Sequence, residues 1–292
     1  MPPGSSPGAA CYDRRRMENV DLHCHSRASD GLLAPAELAA RARDRGVTTL
    51  ALTDHDETGG LEEAAEAARD LGMRFIPGVE ISVTWNDFAI HVVGLGIERS
   101  DARLAQGLQS VRAGRPRRAA AIAAALENCG IPGSLEGAMA HAGNPEFVGR
   151  THFARFLVEK GHARDLKSVF RNYLVSGKPG YVPHRWATLA DAVGWIKGAG
   201  GIAVVAHPGR YRFSREEARR FLGEFADSGG LGIEIITSSH TPDQCSAFAA
   251  LAREFGMLAS RGSDFHGPGE SRAELGGMPP LPEGLKPVWQ EL

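Results

Sequence analysis

Short apolar runs alternate with amphipathic stretches along most of this chain. Asn19–Ser26, Thr49–Thr53, Arg74–Val83 and Ala89–Gly96 read as strands. Pro35–Arg45 and Leu61–Leu71 repeat apolar residues at helical spacing, and each is followed by a glycine, Gly46 or Gly72. From Ala102 to Val175 the rhythm changes to helix only, with candidates at Ala102–Val111, Pro116–Asn128, Ser134–His141, Thr151–Glu159 and Leu166–Val175. Alternation returns with the helices Leu189–Gly198, Arg215–Ala226 and Asp243–Phe255, which lead into the strands Ile202–Ala206, Gly232–Thr237 and Leu258–Ser263. The pattern predicts an α/β chain of parallel βα units. Its about seven strands fit a closed or nearly closed β/α barrel, and an open doubly wound sheet is the alternative. We place the barrel at 19–98 and 186–292 and an all-helical substrate-binding insertion at 99–185.

Composition supports a packed globular chain, since 42% of the 292 residues are hydrophobic. No stretch approaches the ~20 apolar residues of a membrane helix. The four cysteines, Cys11, Cys24, Cys129 and Cys245, are scattered, which predicts free thiols and a cytoplasmic setting. Residues 1–18 read as a disordered Pro/Gly/Ser tail, with Met17 as the natural start, and the G-x-S-x-G match at Gly4–Gly8 lacks a strand and helix around it. Net charge is −2, but it is unevenly spread. Arg99–Arg185 carries 14 Lys/Arg and 6 Asp/Glu, hence +8, which leaves −10 on the remainder. An acidic body suits metal cations, and a basic insert suits phosphates. The run Arg112–Arg118 reads as a solvated helix face.

The chemistry gathers at strand ends. Strand one ends Asp21-Leu22-His23-Cys24-His25 and is followed by Asp30; strand two ends Thr53-Asp54-His55-Asp56. Strand three carries Glu80, strand four opens near His91, and a later strand ends Ala206-His207-Pro208. Another strand contains Glu234 and precedes His240, and the last ends Ser263-Asp264-Phe265-His266. Six of the 11 histidines therefore stand at strand ends or beginnings. The period of two points His23 and His25 to one face and turns Leu22 and Cys24 away from it. His with carboxylate suits Zn, Mn or Fe, and a carboxylate such as Glu80 can bridge two ions. No H-E-x-x-H helix, P-loop or nucleophile elbow competes with this reading.

DLHCHSRASDG, LTDHD, GVEIS, HVVGLG, VVAHP and GSDFH together resemble the successive motifs of the PHP (polymerase and histidinol phosphatase) family, from about Val20 to Gly267. The resemblance implies an amidohydrolase-like distorted barrel, two or three divalent ions, and phosphoester hydrolysis by a metal-bound hydroxide. Mn²⁺ is the first expectation, with Fe²⁺ or Zn²⁺ as alternatives. It further implies one ion on His23, His25, Glu80 and Asp264. A second would be held by Glu80, His91 and His207, and a third by Asp30, His55 and His266. Asp30 stands where many relatives have His. His207, Asp264 and His266 are expected to take part in catalysis.

GRTHFARFLVEKG (Gly149–Gly161) and VSGKPGYVPHRW resemble a subgroup that includes 3′,5′-nucleotide bisphosphate phosphatases and 5′-to-3′ exoribonucleases. Arg150 at a helix start, His152, Lys178 and His240 are the expected substrate-binding residues, with Thr151 as a helix cap. The expected partner is a small phosphorylated nucleotide or short RNA, with neither a membrane nor a large nucleic-acid surface. Histidinol phosphate phosphatase, a polymerase-associated domain and a metal-stabilised scaffold without turnover are the alternatives.

Overall fold

The computed structural model describes residues 18–292. The expectations for the tail, Met17, the G-x-S-x-G match and Cys11 lie outside the described residues. Glu18, which the tail was expected to include, accepts a hydrogen bond from the Trp289 indole at 3.0 Å.

The elements follow the expected order. They are β1 (Val20–Asp21), α1 (Pro35–Asp44), β2 (Thr49–Leu52), α2 (Leu61–Asp70), β3 (Arg74–Trp85) and β4 (Phe88–Leu95), then α3 (Ala102–Arg112), α4 (Arg115–Glu127), α5 (Ser134–Ala140), α6 (Arg150–Glu159) and α7 (Leu166–Val169). A π turn (Phe170–Leu174) continues α7. The chain closes with α8 (Leu189–Gly198), β5 (Ile202–Val205), α9 (Arg215–Asp227), β6 (Gly232–Thr237), α10 (Pro242–Phe255) and β7 (Leu258–Gly262). Local signals set several boundaries. Ser214 and Glu217 cap α9 reciprocally, as Thr241 and Gln244 cap α10. Gly256 ends α10 in the left-handed region at φ 63°.

The seven strands pair in chain order. The last meets the first through Leu22 N to Arg261 O (3.1 Å), Asp264 N to His23 O (2.8 Å) and His25 N to Phe265 O (2.8 Å), so the sheet curls into a nearly closed barrel. The expectation of parallel units throughout fails at β4, which pairs antiparallel with both β3 and β5. Only the two residues Asn86 and Asp87, both at positive φ, separate β3 from β4. A connection that short makes a hairpin, since a parallel crossover needs a dozen or more residues.

Alternate residues of the strands form an interior cluster that includes Val20, Leu22, Ala51, Ile76, Val93 and Val204, with Trp289 against it. The opposite faces pack on the helices in a larger core. The alternation expected over Asn19–Ser26 breaks here. The β1 ladder ends at Asp21, Leu22 joins the interior cluster, and Cys24 joins the outer core.

The helical segment divides between two cores. Leu104, Leu108 and Val111 of α3 belong to the barrel's outer core. At Gly107 a Cβ would come 2.4 Å from Trp195 of α8, so glycine there is what lets α3 lie against the barrel. Ala119, Ile122, Leu126, Phe153, Leu157 and Val169 form a separate core within α4–α7.

Candidate metal centre

The strand-end residues converge in one buried nest. His23, His25 and Glu80 are fully buried, and Asp30, His207 and Asp264 nearly so. His55, His91 and His266 are half-buried. Glu80 lies at the centre. Its Oε2 faces His23 Nε2 (3.3 Å), His25 Nε2 (3.4 Å) and His55 Nδ1 (2.9 Å), while Oε1 faces His91 Nδ1 and His207 Nε2, each at 2.9 Å. Asp264 Oδ1 lies 3.6 Å from His23 Nε2 and 3.2 Å from His25 Nε2. Asp30 Oδ1 lies 3.4 Å from His266 Nε2 and 4.0 Å from His55 Nε2. His91 opens its strand rather than ending it because β4 is antiparallel, which puts its beginning at the rim where its neighbours end.

This donor set fits divalent ions. Two ligands about 2.1 Å from one ion at a tetrahedral angle stand about 3.4 Å apart, the spacing that recurs around His23, His25, Glu80 and Asp264. His23 Nε2, His25 Nε2, Asp30 Oδ1, Glu80 Oε2 and Asp264 Oδ1 are buried without hydrogen-bond partners. Orphaned polar atoms are costly, and a cluster of them aimed at one space is what coordination satisfies. Four overlapping groupings emerge: His23, His25 and Asp264; His23, Glu80 and His207; His55, Glu80 and His91; and His25, Asp30, His55 and His266. Burial, with the neighbouring His266 and His55, holds His25 down to about 3; burial, with Arg210, holds His207 at about 4. Those two rings are held neutral, the form that coordinates. At His23 and His55 burial is outweighed by the facing carboxylates, which push the rings up, His55 to about 9, so that a bound cation would displace those protons.

Surrounding groups hold the donors in place. Glu234 accepts from His23 Nδ1 (2.7 Å) and from the His207 amide (2.5 Å), tying two strand ends together. His207 and Asp264 have φ of 28° and 55°, left-handed backbone that aims them inward at a strained turn. Arg210 donates to Asp264 Oδ2.

Beside the nest lies a cleft that includes Asp30, His55 and His91 in its lining. Its other walls carry Arg115, Arg118 and Arg150 with Phe147, Tyr181 and Trp186. Gly149, Arg150 and Thr151 place the N-terminal turn of α6 there too. Arg150 lies over Phe170 at 5.6 Å and has no carboxylate partner among the described residues. Arg118 sits over Trp186 at 5.2 Å, and burial lowers its pKa to about 10.

The run Arg112–Arg118 is therefore not a solvated face. Arg115 is 5% exposed, packs 3.8 Å over Phe147, and bonds Asp56 and Ser82. Of the arginines in that run only Arg117 is exposed as expected. Other substrate-binding expectations also change. His152 is buried, and its Nδ1 accepts from the Gly149 amide at 3.0 Å, a cap rather than a cleft group. Lys178 is exposed and lines no described cleft. His240 spends both ring nitrogens on the backbone, at Ile235 O and Gly209 N, each 2.9 Å away. Thr151 is not the cap either: Gly149 precedes the helix, and the Thr151 hydroxyl donates to Asp30 Oδ2 at 2.8 Å.

Barrel, nest and cationic cleft together define the class as a metal-dependent phosphoesterase. A family model of the PHP domain matches residues 21–238, and the chain belongs to that family. It is 52% identical over 276 residues to the 3′,5′-nucleoside bisphosphate phosphatase of Chromobacterium violaceum, covering 94% of this chain and 97% of that protein. It is 44% identical over 272 residues to the 5′-3′ exoribonuclease Rnm of Escherichia coli, covering 92% of each. A solved amidohydrolase from Chromobacterium violaceum with bound sulfate superposes with a TM-score of 0.91 at 52% identity, over 94% of this chain and 95% of that one. Among the described residues no helix is long and apolar enough to cross a membrane.

Proposed function

We propose that the protein removes the 3′-phosphate from nucleoside 3′,5′-bisphosphates to give 5′-nucleotides, and that it also acts on short 5′-phosphorylated RNA. The observation that carries this reading is the second cationic site. Three guanidinium groups face a cleft whose floor includes Asp30, His55 and His91 of the nest. One phosphate can lie at the nest while another, on the same small molecule, meets the arginines. The names of the two relatives agree with it.

His23, His25, Glu80 and Asp264 would hold one divalent ion, with Glu80, His91 and His207 holding a second and Asp30, His55 and His266 a third. Mn²⁺ is the foremost candidate, and the donor set also accommodates Fe²⁺ or Zn²⁺. Such ions would lower the pKa of a coordinated water and neutralise charge on the phosphate oxygens. Arg150 and the N-terminal turn of α6 bind the uncleaved phosphate, Arg118 adds charge, and Phe147, Tyr181 and Trp186 offer faces to the base. His266, whose Nδ1 donates to Asp264 O at 3.0 Å, turns Nε2 toward Asp30 as a donor of the third position. His207 and Asp264 keep the attacking side of the nest in register. The helical segment is the substrate-binding part of the chain. Free Cys24, Cys129 and Cys245 support a reducing, cytoplasmic setting.

The test is phosphate release from adenosine 3′,5′-bisphosphate, 3′-AMP and histidinol phosphate with Mn²⁺ present. The bisphosphate should be preferred. Faster turnover of histidinol phosphate would replace this reading with that activity, and no turnover of any substrate would leave a metal-stabilised scaffold.

A further inference from the structure

The nest opens in two directions. Asp30, His55 and His91 face the arginine cleft, whereas Asp264 and His266 line a second cleft with Arg210, Ser238 and Arg272. Thr151 and Phe170 stand in the walls of both, so one narrow partition separates the clefts at the nest.

Charge in the second cleft is paired except at one point. Arg210 is committed to Asp264. Glu270 is held by Arg155 at 2.7 and 2.9 Å. Ser271 Oγ accepts from the His266 amide at 2.7 Å and the Gly267 amide at 3.1 Å, which fixes the loop carrying Arg272. Arg272 itself is exposed and has no carboxylate partner among the described residues. The cleft therefore presents one uncommitted cation beside a nest residue, on the side away from the three arginines.

We propose that this second cleft binds the nucleotide esterified to the scissile phosphate, with Arg272 meeting the phosphate or ribose beyond it. This rests on the function proposed above and specifies which substrate fills the site. The same bond breaks in either substrate. Water places its oxygen on phosphorus, the bond between phosphorus and the 3′-oxygen breaks, and a proton passes to that oxygen. The 5′-nucleotide leaves from the arginine cleft. The phosphorus product is inorganic phosphate from a bisphosphate. From RNA it is the 5′-phosphorylated remainder, which lies in the second cleft. A site open on both sides of the scissile phosphate handles both esters, while one closed behind it handles only the terminal phosphate.

The experiment compares adenosine 3′,5′-bisphosphate with the 5′-phosphorylated dinucleotide pApA, using wild type, Arg272→Glu and Arg272→Lys at fixed Mn²⁺. Arg272→Glu should lower kcat/KM on pApA about tenfold relative to the bisphosphate, chiefly through KM, and Arg272→Lys should recover most of it. An unchanged ratio overturns the proposal, as does wild type that cleaves the bisphosphate but not pApA. Wild type inactive on both would instead overturn the proposed function.

Discussion

Thr151 donates its hydroxyl to Asp30 Oδ2 at 2.8 Å, joining the first turn of the helix beside the arginines to a carboxylate of the metal nest. Asp30 thus divides its oxygens, one on the helical segment and the other buried and unpartnered, toward His266. The Arg155 guanidinium adds a bond to the Asp30 carbonyl at 2.7 Å. Losing the Thr151 hydroxyl should loosen the third metal position. Groups behind metal ligands typically contribute about 10–100-fold in affinity. Thr151→Val should therefore weaken the most labile Mn²⁺ site by roughly tenfold in a titration, and Thr151→Ser should not. Equal affinities in all three proteins would show that Asp30 does not depend on this bond.

Protein purified without chelator should carry at least two divalent ions per chain by elemental analysis. Stripping them should lower the melting temperature, because a ligand bound only by the native state stabilises it by mass action. Fewer than one ion per chain, with no thermal gain on adding Mn²⁺, would count decisively against the nest as a metal centre.

Glu80 faces five histidines with two oxygens. Glu80→Ala should remove a ligand from two ions and cut turnover by orders of magnitude while the barrel stays folded. Cys24 packs in the outer core and donates to Ala51 O at 3.1 Å, a bond that serine can also make. Cys24→Ser should keep wild-type metal content and turnover, and loss of activity without unfolding would contradict the orientation of Cys24.

Arg150→Ala should cost roughly 2–4 kcal/mol in kcat/KM on the bisphosphate, about 30- to 1,000-fold. The loss should be much smaller on 3′-AMP, which has no second phosphate for the clamp. Equal losses on both substrates would assign Arg150 to the scaffold or to the cleaved phosphate.

Burial lowers the His152 pKa to about 4 from 6.5. A folded pKa below the unfolded one means that the unfolded chain binds the proton first. The stabilisation is complete above pH 6.5 and is lost as pH falls toward 4. At pH 5 the loss comes to about 2 kcal/mol. His152→Gln keeps a capping acceptor for the Gly149 amide without a titrating ring. Its denaturant midpoint should fall less than that of wild type between pH 7 and pH 5, and parallel losses would place the acid lability elsewhere.

Much of the molecule was legible from residue order. Apolar periodicity reports which face of an element is buried, and that located every strand and most helix ends. The nest was legible because strand ends are local features, and a His or carboxylate at each one can be counted along the chain. Periodicity carries no direction, however, so β4 reads the same parallel or antiparallel. Nor does it say which distant element covers a polar residue. Arg115 is buried because Asp56 and Ser82, 59 and 33 residues away, meet it from the barrel while Phe147 and Trp186 cover it. His152 and Lys178 belonged to suggestive motifs and His240 followed a strand that carries Glu234, yet their side chains line no part of the arginine cleft, since a helix rotation or a turn decides where a side chain points. The sequence determined the barrel, the strand-end donors and the basic segment. Tertiary structure alone decided which cations face the nest and that it opens on two sides, because those facts depend on contacts between groups more than a hundred residues apart, such as Thr151 and Asp30, separated by 121.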